Sequence, residues 1–594
     1  MVNPTLSLDW LLATLERLRL LSSAQVRDVQ VRAPEQRARL TRQRDGAGTP
    51  PPSAPEIIAS FELVDAAGAP LDADHLAQII AAEARLPYHK IDPLQLDMEL
   101  VSRTLSRPFA LRHVVLPVAS DPQSLTVAVE NPFDMDLVEG LGRAVRGEVR
   151  RVVSSRRDIL KAITEIYGFK MSVDSAAKES VRDLGISNFE QLVKLRGLGE
   201  IEANDQHVVN AVDFLLRYAF DQRASDIHIE PKRNDSLVRL RIDGVLHAAQ
   251  TIPRLVHPAI VSRVKTIARL DIAEKRRPQD GRIKTMFGDK SVELRVSTLP
   301  VAFGEKVVIR IFDPETLQGD LGELGFDPPD QVVFERWIAA PHGLVLVTGP
   351  TGSGKTTTLY TALEALASDE VNVTSVEDPI EMVAEDFNQV AVQPKIGVDF
   401  ATALRTLLRQ DPDIIMVGEI RDGETAEMAV QAALTGHLVL STLHTNDSVG
   451  AITRLVDLGV PPFLVSSTLL GVMAQRLVRR ICKECRVPSP LTADERAALG
   501  LGVGEVGRFV ETARGKGCVS CRGTGYRGRV GIFEILDVTE ALAKLVGARA
   551  GDEALRRAAA EQGMRSLSEC ALDRLAQGVT TVEEVLRVTG YARG

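Results

Sequence analysis

The sequence predicts a multidomain α/β protein whose largest domain holds a phosphate-binding loop at the edge of a parallel sheet. Strand-like and helix-like segments alternate over residues 321–480, which is typical of parallel strands joined by crossover helices. Residues 344–360, LVLVTGPTGSGKTTTLY, pass from an apolar strand through a glycine-rich loop into a helix. Residues 206–313 contain strand-like runs such as SLVRLRIDGVLHAAQ and EKVVIRIF, which predict a separate α+β domain.

The composition is that of an ordinary soluble protein. Its 594 residues suffice for about three to five domains, and 44% of them are hydrophobic and 25% charged. The formal net charge of −9 provides no overall attraction to nucleic acid or anionic lipid. No run of about 18 apolar residues occurs, and charges interrupt the N-terminal leucines, so neither a membrane span nor a signal peptide is predicted. We expect a cytosolic protein whose membrane contact goes through a partner.

Composition changes along the chain predict the domain boundaries. Prolines and glycines in DGAGTPPPSAPE indicate a linker, and polar, weakly periodic sequence indicates a second one, with a helix at NFEQLVKL. The predicted segments are an N-terminal helical segment (1–44), a linker (45–56), a small α/β domain (57–169), a linker (170–205), the strand-rich domain (206–313), the phosphate-loop domain (314–480), a four-cysteine insert (481–530) and a C-terminal helical region (531–594).

The glycine-rich loop fits the spacing G-x-x-x-x-G-K-[ST] from Gly349 to Thr356. Its glycines let successive backbone N–H groups point at one anion at the start of the following helix. Lys355 is expected to reach the β and γ phosphates, and Thr356 to place its hydroxyl on Mg²⁺. The alternative is a glycine loop with a solvated lysine. The predicted nucleotide-binding residues are Gly349, Pro350, Thr351, Gly352, Ser353, Gly354, Lys355, Thr356 and Thr357.

Acidic residues follow two further strands and His444 follows a third, so these side chains should converge on the phosphate loop at the carboxyl edge of the sheet. Glu419 is placed to orient or deprotonate water, although it could be a solvated strand-end glutamate. Glu377 would assist at the water shell of Mg²⁺, and Asp378 is a candidate turn cap. His444 is interpreted as a γ-phosphate sensor or an ordinary hydrogen-bonded histidine, and His437 as structural.

Arg239 and Arg241 stand two apart on one predicted strand, so they share a face and could present two guanidinium groups to a phosphate. The alternative is a solvated basic strand face. The sequence does not tell which arginine reaches a nucleotide, or in which subunit.

Four of the five cysteines form two C-x-x-C pairs, Cys482 with Cys485 and Cys518 with Cys521. In a reducing cytosol this spacing favours tetrahedral Zn²⁺ with four thiolates over disulfides. Four unliganded thiols are the alternative. Because a four-thiolate site has no open ligand position, we assign it a structural role.

Six motifs together resemble the ATPases that drive type II secretion and type IV pili: GPTGSGKTTTLY, VEDPIE, LRQDPDIIMVGEIRD, ALTGHLVLSTLHTND, LDIAEKRRPQDGRI and GYRGRVGIFEIL. The resemblance implies a RecA-like core preceded by a PAS-like domain, a homohexamer that binds ATP, and arginines donated to the nucleotide site. It matches Lys355 and Thr356 to Walker A and Glu419 to the Walker B glutamate. Gly418 stands where many P-loop ATPases have a metal-binding aspartate, and the secretion family shares this departure.

The resemblance also implies a function and partners. The chain looks more like the type II secretion ATPase than the pilus extension ATPase, so we expect a cytoplasmic hexamer, peripheral at the inner membrane, that drives pseudopilus assembly. The N-terminal domain resembles the module that docks on an inner-membrane platform protein, and no clear signature for cyclic di-GMP binding occurs in it. A nucleic-acid motor is disfavoured by the acidic total and by an aromatic content of 4%. A catalytically dead scaffold conflicts with the presence of Lys355, Thr356 and Glu419.

Overall fold

The computed structural model of the chain describes residues 5–42, 50–65, 70–91, 96–121, 123–145, 147–164, 166–167, 205–288, 290–312, 321–501, 509, 511–518 and 520–590. These residues divide into two units. The first lies within Met1–Leu240, His247–Arg282 and Val296–Ile309, and the second within Arg241–Leu246, Ile283–Arg295 and Arg310–Gly594. The predicted connector 170–205, with its helix at NFEQLVKL, falls outside the described residues apart from its last position.

Helices surround a small mixed sheet in the N-terminal part of the first unit. The sheet has the order β1-β2-β3, with β1 antiparallel and β3 parallel to β2. Its elements are α1 (Leu8–Arg17), α2 (Ser23–Arg42), α3 (Ala54–Ala59), α4 (Ala73–Ala84), α5 (Met98–Thr104), α6 (Arg107–His113), β1 (Val115–Ser120), β2 (Ser124–Val129), α7 (Met135–Val145) and β3 (Glu148–Val153).

Helix α3 corrects the predicted linker 45–56, because the last residues of that segment are helical. The backbone N–H of Ser53 donates to Glu56 Oε2 at 3.0 Å, which is half of the capping-box arrangement. Pro55 occupies the first turn, where its missing N–H leaves no helical hydrogen bond unmade. The proline that indicated a linker is therefore part of a helix start.

The strand-rich segment forms a six-stranded sheet with the order β6-β5-β4-β9-β8-β7. Buried and half-buried positions alternate strictly along β5, and Arg239 and Arg241 both occupy half-buried positions, as expected for residues on one face. The elements are α8 (Gln206–Asp221), β4 (Asp226–Pro231), β5 (Asp235–Ile242), β6 (Val245–Pro253), α9 (His257–Ile267), β7 (Gln279–Phe287), β8 (Lys290–Val301) and β9 (Gly304–Phe312).

A seven-stranded sheet organises the second unit, in the order β12-β11-β13-β14-β10-β15-β18. All neighbouring strands pair in parallel except β15 and β18. Its elements are α10 (Pro328–Ile338), β10 (Gly343–Thr348), α11 (Lys355–Leu366), β11 (Val373–Glu377), β12 (Asn388–Ala391), α12 (Phe400–Leu407), β13 (Ile414–Val417), α13 (Gly423–Leu434), β14 (Leu438–Leu443), α14 (Ser448–Asp457), α15 (Pro462–Thr468), β15 (Leu469–Ile481), β16 (Arg486–Pro488), α16 (Ala493–Ala498), β17 (Ala513–Gly515), β18 (Tyr526–Asp537), α17 (Glu540–Gly547), α18 (Asp552–Glu561), α19 (Leu567–Ala576) and α20 (Val582–Thr589).

Strands β10, β11, β13 and β14 are buried at every position, in keeping with the apolar runs of β10 and β13, whereas β11 also buries Thr374, Ser375 and Glu377. One hydrophobic cluster includes residues of α12, α13 and α14, and another includes residues of α10 and α11. The predicted α/β class is confirmed. In the part of the chain that the structure describes, no helix has the length and apolar character needed to cross a bilayer.

Two predicted boundaries require correction. Strand β15 runs past residue 480, and β18 runs across the predicted boundary at 530 to Asp537, where it pairs with Gly471 of β15. The cysteine-bearing segment is therefore an insertion between two paired strands of the large sheet. The C-terminal helices begin only at Glu540.

Candidate functional site

The phosphate loop connects the end of β10 to the start of α11. Gly349, Gly352 and Gly354 have positive φ angles of 146°, 80° and 91°. A Cβ atom on Gly349 would lie 2.5 Å from the backbone oxygen of Gln475 in β15, so no larger residue fits without moving backbone. The loop can therefore curl tightly over the edge of the sheet and direct its N–H groups inward.

Lys355 is held inside this loop. Its ammonium donates to the carbonyl oxygens of Gly349 at 2.8 Å and Pro350 at 3.2 Å, and the residue is 9% exposed. Burial lowers the pKa of Lys355, while the charges of Glu419 and Glu381 act in the opposite direction. Burial therefore disfavours the ammonium, and an anion beside it would favour the charged form.

The other predicted loop residues line the same turn. Thr351 and Gly352 are exposed, and Thr356 and Thr357 are half-buried in the first turn of α11. Ser353 is 4% exposed, and its hydroxyl has no hydrogen-bond partner among the described residues. A buried hydroxyl without a partner in this loop is a ready donor for a bound anion.

The strands that carry the acidic residues and histidines end at one edge of the sheet. In the order β11-β13-β14-β10, all neighbours are parallel, so Glu377, Glu419, His444 and the phosphate loop lie along the carboxyl edge. A Cβ atom at Gly418 would lie 3.2 Å from the Val376 carbonyl oxygen. This close approach of two strand ends favours glycine at 418 over an aspartate.

Glu419 lies among charged partners. Glu419 Oε1 forms an ion pair with Arg421, and Glu419 Oε2 lies 3.5 Å from His444 Nε2. Arg421 also contacts Asp378 Oδ2 at 3.3 Å. The side chain of Glu419 is 18% exposed and that of His444 is 51% exposed. Solvent therefore reaches the pair, as hydrolysis requires. Asp378 pairs with Arg421, a contact that the sequence did not indicate.

Glu377 has a different environment. It is 4% exposed, and its carboxylate accepts from Tyr360 at 2.6 Å, Ser375 at 2.6 Å and Gln389 at 3.1 Å. Burial raises the pKa of Tyr360, and the nearby charge of Glu377 raises it further. Both oxygens of Glu377 face protein donors, which fits a structural carboxylate better than one in the water shell of a metal. Its catalytic role stays a prediction.

His437 and the two arginines have local partners. His437 Nδ1 lies 2.9 Å from the Ala432 carbonyl oxygen, in keeping with a structural role. Arg239 pairs with Glu230 at 2.7 Å, and Arg241 donates to the Gly244 carbonyl oxygen at 3.0 Å. The proposed phosphate contacts of these arginines stay predictions.

Glu230 was not identified from the sequence as the partner of Arg239. Burial alone would raise the pKa of its carboxyl, but Arg239, Lys306 and Lys232 outweigh burial and lower the pKa to about 2. Its cross-strand relation to Arg239 appears only in the folded sheet.

The four cysteines meet at the insertion between β15 and β18. The Sγ atom of Cys482 lies 3.6 Å from that of Cys518, and the Sγ atom of Cys485 lies 3.7 Å from that of Cys521. Four sulfurs bound tetrahedrally at about 2.3 Å from Zn²⁺ would lie about 3.8 Å apart. Backbone N–H groups of Cys518 and Gly525 also point at Cys521 Sγ, at 3.1 and 3.3 Å. The donor set and spacing fit a tetrahedral zinc ion.

Known protein families and curated relatives match the chain in sequence. A model of the Type II/IV secretion system protein family matches residues 201–587, and a model of the MshEN domain matches residues 84–173. The chain is 45% identical over 538 residues to the type IV pilus assembly ATPase TfpB of Acinetobacter baylyi, a match that covers 89% of this chain and 91% of the relative. It is 42% identical over 498 residues to the type II secretion system ATPase E of Vibrio cholerae, covering 82% of this chain and 97% of the relative.

A solved structure is also similar. The crystal structure of the pilus retraction motor PilT with bound ADP shares 26% identity with a TM-score of 0.45, covering 63% of this chain and 95% of that chain. The family match extends over more than half of the chain, and the two curated relatives exceed 40% identity over most of it. The chain belongs to the Type II/IV secretion system protein family, the ATPases of type II secretion and type IV pilus assembly.

Proposed function

We propose that this chain hydrolyses ATP to drive assembly of a pseudopilus and export of proteins by a type II secretion system. The observation that carries the proposal is the edge of the large sheet, where the loop holding Lys355 lies beside the strand ends that carry Glu419 and His444. A protein that only binds a nucleotide needs the phosphate loop alone, whereas a hydrolase also needs a group that orients or deprotonates the attacking water.

Lys355 supplies the positive charge for the β and γ phosphates. When a nucleotide binds, phosphate oxygens replace the Gly349 and Pro350 carbonyl oxygens as acceptors for this ammonium. The buried cation thereby gains a partner of opposite charge. Thr351, Gly352, Ser353 and the N-terminus of α11 contribute donors to the same anion.

Glu419 orients and deprotonates the attacking water. Arg421 and His444 contact opposite oxygens of its carboxylate, so they fix its orientation. We assign His444 the role of a sensor, since it touches the carboxylate that faces the reacting phosphate and begins the segment leading into α14.

Two metals accompany this function. Thr356 offers an oxygen donor of the kind that Mg²⁺ prefers, and Mg²⁺ bound there would neutralise charge on the phosphates. The four cysteine thiolates would hold Zn²⁺ with no open position, so the zinc stabilises the insertion and takes no part in hydrolysis.

The assembly is proposed to be a homohexamer at the cytoplasmic face of the inner membrane. Residues 57–169 would dock on the platform protein of the secretion system, in line with the MshEN match, and Arg239 or Arg241 would contribute charge to a nucleotide site. We propose no nucleic-acid partner.

A second candidate is assembly of a type IV pilus. It is favoured by the match to TfpB, which covers more of this chain than the match to the secretion ATPase at a similar identity. Both functions use the same hydrolysis and differ in the filament that is assembled.

Hydrolysis is tested by assaying the purified full chain against Lys355→Ala, with Lys395→Ala as a control because Lys395 is exposed. We expect turnover in the wild type and the control and none in Lys355→Ala. Stimulation by single-stranded DNA would favour a nucleic-acid motor. Deleting the gene in its source cells then distinguishes the two proposed functions. Loss of exported enzymes with pili retained supports secretion, and the reverse supports pilus assembly.

A further inference from the structure

Thr348 is the last residue of β10 and directly precedes Gly349 of the phosphate loop. It is the polar end of an otherwise apolar strand, LVLVT, and is 0% exposed. Its hydroxyl accepts a hydrogen bond from the backbone N–H of Thr445 at 2.9 Å and lies 2.6 Å from Thr445 Oγ1. The Thr348 hydroxyl also lies within donating distance of the carbonyl oxygens of Leu443 at 3.1 Å and Thr445 at 3.2 Å, and the Thr445 hydroxyl donates to the Asp447 carbonyl oxygen at 2.9 Å.

These contacts are made by the two sequence neighbours of His444, Leu443 and Thr445. Thr348 is the register partner of Leu443 in the parallel ladder of β10 and β14, so the residues on both sides of His444 are attached to Thr348. His444 Nε2 lies 3.5 Å from Glu419 Oε2. One buried hydroxyl therefore connects the first turn of the phosphate loop to the backbone that carries His444.

The segment beyond Thr445 is anchored as well. The Asn446 carbonyl oxygen accepts from Arg476 at 3.2 Å, and Asp447 caps α14 by accepting from the N–H of Gly450 at 2.8 Å. The segment that carries His444 is therefore held by hydrogen bonds at both ends, at Thr348 and at the start of α14.

A strand position alone does not require this hydroxyl. Valine has the same shape as threonine and is favoured in a buried parallel strand, and β10 uses Val345 and Val347. The backbone N–H of Thr445 lies past the end of the ladder, where a side-chain oxygen must replace a main-chain acceptor.

We propose that Thr348 is a positioning residue for hydrolysis, which sets His444 against Glu419 according to the conformation of the phosphate loop. The inference rests on the proposed ATP hydrolysis. It predicts that removing the hydroxyl slows the chemical step and leaves nucleotide affinity unchanged, because the Thr348 side chain is 0% exposed and its hydroxyl contacts the backbone beside His444.

The test compares Thr348→Val with Thr348→Ser in the full hexameric chain. We expect kcat to fall about 10- to 100-fold in Thr348→Val, since misplacing a reacting group by about 1 Å can cost about 100-fold. KM and ADP affinity should stay within about twofold, and Thr348→Ser should recover most of kcat. Thr361→Val is the matched control, because Thr361 is 3% exposed on α11 and its hydroxyl has no partner among the described residues.

A double-mutant cycle with His444→Ala separates positioning from general destabilisation. If Thr348 acts through His444, the double variant should be no slower than His444→Ala alone. The inference would be overturned if the fold-losses of the two single variants multiplied in the double variant. An unchanged kcat in Thr348→Val would overturn it as well. If Thr348→Val does not fold, Thr445→Val removes the hydroxyl at the other end and should lower kcat in the same way. A wild-type hexamer that hydrolyses no ATP would instead refute the proposed function itself.

Discussion

Replacing Glu584 with glutamine should destabilise the second unit by about 3 kcal/mol at neutral pH. The carboxylate lies in α20 with no exposed side-chain surface, and accepts from Arg479 Nε at 2.8 Å and Arg587 Nη2 at 2.7 Å. Burial alone would raise its pKa, but the two arginines outweigh burial and lower the pKa from 4.5 to about 2. At about 1.4 kcal/mol for each pH unit, this difference gives the stated loss.

The same pKa fixes how the effect depends on pH. The folded protein holds the Glu584 proton less tightly than the unfolded chain, so the stabilisation is complete above about pH 4.5 and is lost as the pH falls toward about 2. The difference in unfolding free energy between wild type and Glu584→Gln should therefore be the same at pH 7 and pH 6, and should shrink below about pH 4.5.

Urea unfolding measures this difference. The chain has 2 tryptophans, and Trp337 is buried in the second unit, so its fluorescence in a Trp10→Phe background reports on that unit. Glu583→Gln is the control, because the neighbouring Glu583 is 76% exposed and should change stability by less than about 0.5 kcal/mol. Equal unfolding midpoints for wild type and Glu584→Gln at pH 7 would refute the reasoning, as would a difference that persists unchanged at pH 3.

Three further predictions concern the metal, the loop and the assembly. Cys482→Ser combined with Cys518→Ser should abolish bound zinc and lower the melting temperature of the second unit without abolishing ATP binding, while Cys570→Ser should keep its zinc; metal analysis and calorimetry decide this. Gly349→Ala should lose nucleotide binding in a fluorescence titration, because its Cβ would lie 2.5 Å from the Gln475 backbone oxygen. Specific ATPase activity should fall on dilution from hexamer to monomer, by about 10³- to 10⁵-fold if an arginine acts between subunits; flat activity would contradict this.

Local patterns predicted most of the candidate site. The phosphate loop, the residues after the strands and the cysteine pairs are each defined by neighbours in sequence, so their spacing carries the chemistry. The order of the parallel strands then brought Glu419 and His444 together, as the crossover pattern predicts.

The remaining features depend on contacts between distant residues. Strand β18 is separated from its partner β15 by the cysteine insertion, so nothing local indicates that GRVGIFEIL closes the large sheet. The burial of Glu377 depends on Tyr360, which reaches it from the helix after the phosphate loop. Arg421 follows Glu419 by only two residues, but it was not singled out from the sequence. Its pairing with Asp378 depends on strand ends that become neighbours only in the folded sheet.

The variant Glu419→Gln tests the central claim most directly. An amide cannot take a proton from water, so turnover should fall by about 10²-fold or more, while ATP affinity stays within about twofold of the wild type. Glu424→Gln is the control, because the side chain of Glu424 is 65% exposed at the start of α13 and should be neutral. Nucleotide affinity and steady-state hydrolysis should be measured on the same preparations of the full chain. Tight binding with stalled hydrolysis is the predicted result, and near-normal hydrolysis by Glu419→Gln would show that another group activates the water.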